Sequence, residues 1–194
     1  MQNQKFKFET TEIEGLQIIH PFVAYDERGF FMKTYERRMF AEHGIVFENA
    51  EDMTSYSGKG VLRGVHFQTR HSQDKLIHVL RGEVWDVAVD LRKGSRTYGA
   101  WKGFYLSQEN KLSVYIPQGF AHGYLALTDD VVFTYRCGQP YYPDFDSGII
   151  WNDETLKIDW PIDKVDELIL SEKDRNLQTF KQFHGTFGGL GDFS

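Results

Sequence analysis

His66 and His122 lie in segments where polar side chains interrupt otherwise apolar, strand-like sequence: Val61 to Gln68 (VLRGVHFQ) and Ile116 to Gly123 (IPQGFAHG). Asp26 to Phe31 (DERGFF) and Phe133 to Arg136 (FTYR) share that character. Residues i and i+2 of a strand point to one side, so His66 and Gln68 face the same way. A jelly-roll site for a transition metal uses such a pair as His-x-His, with a glutamate shortly after and a third histidine beyond a Pro-x-Gly turn. His122, after Pro117 and Gly119, fits the third position. Gln68 is a poor transition-metal ligand and no glutamate stands in register, so the expectation is a pocket with no metal. A strand histidine without further context is more often a packed core residue. An imidazole in a pocket, however, titrates near neutrality and can serve as base and conjugate acid in turn.

Such side chains need strands to carry them, and the chain is rich in short β-like runs broken by glycine and polar turns. Leu76 to Leu80 leads through Arg81-Gly82 into Glu83 to Leu91, where Val84, Asp86, Ala88 and Asp90 alternate with Trp85, Val87, Val89 and Leu91. Period two of this kind predicts strands with unlike faces. Asp86 and Asp90 suit hydrogen bonding along a strand face as well as a site role. Leu16 to Phe22, Trp101 to Leu106, Leu112 to Ile116, Gly123 to Leu127 and Val131 to Cys137 are further candidates, and the spacing predicts an all-β sandwich or barrel. Helical pattern is scarce. Thr34 to His43, stopped by Gly44, reads as one helix and Ser171 to Phe180 as another, with Ser171 as N-cap and Asp174 as its acidic partner. Gly185 to Ser194 reads as a mobile tail.

The 194 residues suit one domain, 1–194, with no internal repeat or low-complexity linker. The aromatic share of 15% supplies large rings for a sizeable core. Lys plus Arg number 22 against 28 Asp plus Glu, a net charge of −6, which argues against a nucleic-acid binder that relies on phosphate neutralisation. The single cysteine, Cys137, excludes an intramolecular disulfide and a multi-cysteine zinc site. No apolar run is long enough to span a bilayer, and MQNQKFKFETTEIEG lacks the apolar stretch of a signal peptide, so a cytoplasmic protein without membrane partners is expected.

In chain order, RGVHFQ, KLIHVLRGEVWDVAVDLRKGSRTYG, LSQENKLSVYIPQGFAHGYLAL and SGIIWNDETLKIDWP resemble the dTDP-4-dehydrorhamnose 3,5-epimerase family, from about Glu12 to Asn176. The resemblance implies a cupin-type jelly roll with short peripheral helices. It also implies a homodimer with N-terminal strand exchange and a sugar-nucleotide substrate. The implied reaction removes a proton beside the ketone of a nucleotide-linked 4-keto-6-deoxy hexose and returns one to the opposite face, at C3 and C5. His66 matches the family's base, Asp174 the carboxylate that holds it, Tyr135 the acid for the other face and Lys75 the stabiliser of the enolate oxygen. Arg63 and Arg28 match nucleotide-holding positions, Arg28 reaching into the partner's pocket, and Tyr141 matches an aromatic that packs on the base. Gln68 and His122 are expected to line or order the pocket.

Three positions depart from the family pattern. Lys33 stands where DERGFF-x-Glu usually has its glutamate, Glu51-Asp52-Met53 replaces Gln-Asp-Asn, and His78 replaces an arginine. A carboxylate-to-ammonium change turns an acceptor into a donor and reverses its charge. Lys33, Glu51 and Met53 are therefore expected at the substrate with altered recognition. Inversion at C3 or C5 alone and a CDP- or GDP-linked sugar stay open. So do a ketoisomerase and a catalytically silent sugar-nucleotide binder.

Overall fold

Period-two alternation of apolar and polar residues carries most of the chain into antiparallel strands. The computed structural model describes residues 5–46 and 48–191. The first strands are β1 (Lys7–Thr10), β2 (Gln17–His20), β3 (Phe22–Asp26) and β4 (Gly29–Lys33), followed by helix α1 (Arg37–Glu42). Then come β5 (Glu51–Ser57), β6 (Leu62–Gln68), β7 (Lys75–Arg81), β8 (Glu83–Asp90) and β9 (Trp101–Ser107). The last strands are β10 (Ser113–Ile116), β11 (Phe120–Ala126), β12 (Val131–Cys137) and β13 (Asp146–Gly148), before helices α2 (Glu172–Arg175) and α3 (Phe180–Phe187).

Two sheets form a jelly roll. One has the order β1-β2-β10-β7-β12-β5 and the other β13-β6-β11-β8-β9, while β3 and β4 make a separate hairpin. Ile77, Val79, Val114 and Phe133 of the first sheet meet Val84, Ala88, Leu106 and Tyr124 of the second, and these side chains are buried between the layers. The alternation in β8 is the cause: Val84 and Ala88 face this core, whereas Val87 and Val89 face outward. The outward face is covered by the C-terminal segment, through Ile149, Leu156, Trp160, Phe183 and Leu190. One end of the space between the sheets is left for polar side chains.

The structure corrects four expectations. The run Leu16 to Phe22 is broken at Pro21, which has no N–H to give a ladder, so β2 ends at His20 and β3 starts afresh. The first helix begins only at Arg37, because Glu36 is still extended at φ −145°. The expected helix from Ser171 to Phe180 is two: α2 stops at Arg175, and α3 restarts at Phe180 under a capping box made by Thr179 and Gln182. The tail expected from Gly185 instead continues α3 to Phe187, and Leu190 is buried, its N–H donating to the carbonyl of Leu91 at 2.7 Å. Residues 192–194 of that expectation lie outside the described residues. Strand β5 has no counterpart among the expected strands, because EDMTSYS has no apolar face to reveal it. Among the described residues no helix is long and apolar enough to cross a membrane.

Candidate active site

Strands β6 and β11 lie side by side with His66 opposite His122. Two glycines permit the approach. A Cβ on Gly64 would stand 2.7 Å from both the Gly123 Cα and the His122 carbonyl oxygen, and one on Gly123 would stand 2.6 Å from the Arg63 oxygen. Both imidazoles therefore line a cavity of about 380 Å³ that Lys75 of β7, Tyr135 of β12 and Met53 of β5 also line.

Asp174 Oδ1 is hydrogen-bonded to His66 Nε2. The carboxylate is positioned by α2, whose N-cap Ser171 accepts the Asp174 N–H at 3.0 Å. Burial alone would raise the Asp174 carboxyl. The hydrogen bond and charge of His66 outweigh it, helped by Ser171 and Lys173, and the carboxyl ends below its ordinary range. An ionised carboxylate only accepts, so Nε2 carries a proton and Nδ1 is the ring nitrogen left free of Asp174. The pair thus fixes which nitrogen of His66 can exchange a proton with a molecule in the cavity.

Burial pushes the Tyr135 phenol well above its ordinary value. The neighbouring Tyr124 and Asp86 add to the shift, against the Ser55 hydroxyl and the Arg63 guanidinium. The phenol therefore keeps its proton at neutral pH and can give it up only to a strongly basic centre. Burial draws the Lys75 ammonium down, opposed by Cys137 and the carboxylates of Asp146, Asp86 and Glu51. No carboxylate lies within ion-pair distance of Lys75 among the described residues. An unpaired ammonium in a desolvated pocket is a strong stabiliser of an oxyanion.

Behind these groups His122 Nε2 is hydrogen-bonded to Asp86 Oδ2 at 2.7 Å, and both residues are buried. Burial raises the Asp86 carboxyl, against the attraction of His122 and Lys75. The His122 ring meets Tyr135 edge-on with centroids 5.9 Å apart, so the dyad braces the phenol. Among the described residues no group of three or more His, Cys, Asp or Glu side chains is arranged to hold a metal ion.

Cations and aromatics stand at the mouth. Arg63 is tied to β5, its Nε donating to Ser57 Oγ and its Nη2 to the Tyr56 carbonyl, each at 3.2 Å. Tyr141 donates to Asp146 Oδ2 at 2.8 Å, and Lys173 is bonded to the same oxygen. Lys173, Asp146, Gln73 and Ser55 all line the cavity, and none was expected from the sequence. Lys173 was within reach of inspection, being next to Asp174 in SEKD, but Asp146 carries no local signal. Gln68 also lines the cavity, although its carboxamide bonds to backbone: Nε2 donates to the His71 oxygen at 2.7 Å and Oε1 accepts the Tyr142 N–H at 2.7 Å.

Three expected residues do not join the pocket of their own chain. Arg28 is exposed at the β3–β4 turn and paired with Asp26. Lys33 pairs with Glu36 at 2.7 Å on the exposed side of β4. Glu51 lies beyond the lining, where it accepts a hydrogen bond from Gln73 Nε2 at 3.1 Å.

A two-sheet jelly roll that gathers an imidazole–carboxylate pair, a protonated phenol and an ammonium around one cavity is a cupin-type scaffold equipped for acid–base chemistry. Residues 10–182 match the dTDP-4-dehydrorhamnose 3,5-epimerase family, and the chain belongs to it. It is 50% identical over 178 residues to the dTDP-4-dehydrorhamnose 3,5-epimerase of Methanothermobacter thermautotrophicus, covering 92% of this chain and 96% of that one. A crystal structure of the dTDP-6-deoxy-D-glucose-3,5-epimerase from Legionella pneumophila, in complex with dTDP-4-keto-L-rhamnose, superposes with a TM-score of 0.91 at 40% identity, covering 98% of this chain and all of that one. A 3'-monoepimerase from Streptomyces bikiniensis, in complex with dTDP-quinovose, superposes at 0.84 with 30% identity, covering 94% and 92%.

Proposed function

We propose that this protein is a cofactor-independent epimerase of dTDP-4-dehydro-6-deoxyglucose, inverting C3 and C5. The observation that carries the reading is that the His66–Asp174 pair, Tyr135 and Lys75 line one cavity. His66 Nδ1 takes the proton from the carbon beside the C4 ketone. The electron pair moves into the enolate, whose oxygen Lys75 stabilises. Tyr135 then gives its proton to the opposite face, leaving a phenolate that solvent reprotonates while His66 loses its proton. Each cycle inverts one carbon with no net gain or loss of atoms.

Arg63 and Lys173 supply cations for the diphosphate, and Tyr141 offers its half-exposed ring to the base. The enzyme acts as a cytoplasmic homodimer in which the β3–β4 hairpin of one copy covers the free edge of β5 in the other, bringing Arg28 and Lys33 to the partner's substrate. Support comes from β5 ending its sheet and from Phe30, Phe31 and Tyr56, which are 55%, 65% and 63% exposed. Met53 at the cavity and Lys33 from the partner copy change how the nucleotide or sugar is read, Glu51 acts only through Gln73, and the proton-transfer groups are left intact. A second reading, inversion of one carbon alone, is favoured by the likeness to a monoepimerase.

Proton NMR in D2O with dTDP-4-keto-6-deoxyglucose separates them. Loss of both the C3 and C5 signals with a rhamnose-configured product is the expected result. Loss of one signal would establish the second reading, and no exchange at either carbon would overturn both.

A further inference from the structure

We infer that Gln68 and Gln73 are positioning residues that clamp the loop from Gln139 to Tyr142 and thereby set the affinity for the nucleotide base, an inference that rests on the reading of Tyr141 above. Both side chains are buried, at 4% and 8% exposure. Gln68 spends its amide on backbone: Nε2 donates to the oxygens of His71 at 2.7 Å and Pro140 at 3.3 Å, while Oε1 accepts from the Tyr142 N–H at 2.7 Å. Gln73 Nε2 donates to the Gln139 oxygen at 2.8 Å and to Glu51. Between them the two carboxamides hold the backbone on either side of Tyr141, whose hydroxyl is tied to Asp146.

A short surface loop of this kind, Gln-Pro-Tyr-Tyr, loses conformational entropy when its aromatic is ordered on a ligand. Loop-to-side-chain hydrogen bonds made before binding remove that cost from the binding step. The glutamine two residues after His66 thus couples the strand that carries the base to the loop that presents Tyr141. Neither carboxamide has a part in proton transfer.

The test is a double-mutant cycle read by binding and kinetics. In Gln68→Leu the Kd for dTDP is expected to rise about tenfold, one lost hydrogen-bond set to a buried backbone. Affinity for pyrophosphate, which has no base, stays unchanged, and kcat stays within about threefold while KM rises. Added to Tyr141→Ala, the change should cost nothing further. Gln73→Leu supplies an independent variant if the first folds poorly. Equal losses for dTDP and pyrophosphate, or penalties that add in the double variant, would overturn the inference. Wild-type protein that fails to bind dTDP would instead overturn the functional reading.

Discussion

Lys75 and Asp174 sit at the same cavity and both are drawn below their ordinary values, which favours the charged form of the carboxyl and disfavours that of the ammonium. Burial is the larger influence on both, but Asp174 has a hydrogen-bonded imidazole to offset it and Lys75 has no close counter-charge. The consequences for stability have opposite signs. A carboxyl lower in the folded state contributes stability that is fully present above about pH 4 and lost as pH falls through the folded value. Asp174→Asn should therefore unfold at lower urea than wild type near neutral pH, the gap closing on acidification, and kcat should drop about 10²–10⁴-fold. A lysine lower in the folded state carries a penalty while charged, relieved as pH rises through the folded value. Lys75→Met should then melt at or above the wild-type temperature at neutral pH while kcat falls about 10²–10³-fold. Calorimetry beside steady-state kinetics checks the split, and a parallel loss of stability would contradict it.

Among the elements, the strands differ in how well the sequence announces them. Val131 to Cys137 is β12 to the residue, and Glu83 to Leu91 differs from β8 by one, because each has one face in an apolar core that enforces alternation. Strand β5 is silent, since Met53 and Ser55 line the cavity while Asp52 and Tyr56 face solvent. Helix α3 packs behind β6, the Phe183 ring meeting Phe67 with centroids 5.0 Å apart, one residue from His66. Phe183→Ala should cost about 3–5 kcal/mol in urea unfolding, a cavity left in a core without solvent. It should also weaken activity by loosening the strand that holds His66. Gly123→Ala is expected to damage both properties more evenly, because the new Cβ would push β11 away from the Arg63 carbonyl.

The whole molecule leaves the β3–β4 hairpin apart from both main sheets, with Arg28 at its tip and two phenylalanines uncovered. In the proposed dimer Arg28 and Lys33, which stay out of their own chain's cavity, would reach the partner's substrate. Phe31→Asp should shift the protein toward monomer in sedimentation velocity, and activity should decline with the dimer fraction. A monomeric wild type, or a monomeric variant with full activity, would refute the exchanged arrangement.

The sequence by itself determined the β class, most strand positions and which segments bear polar side chains, because steric alternation and turn chemistry act between neighbours in the chain. His66 and Tyr135 were legible as polar interruptions of such strands, and the long motifs led to the family. The pairing of His66 with Asp174, 108 residues away, came from the resemblance and from no local pattern, and the fold makes the bond. Only the tertiary structure decided that Lys173 and Asp146 share the mouth with Tyr141, and that the supposed tail seals the back of a sheet. Those contacts follow from the order in which strands stack and from what the stacked faces bury. No local pattern encodes that order, so a residue such as Asp146, polar and unremarkable among its neighbours, acquires its place only when β13 is laid beside β6.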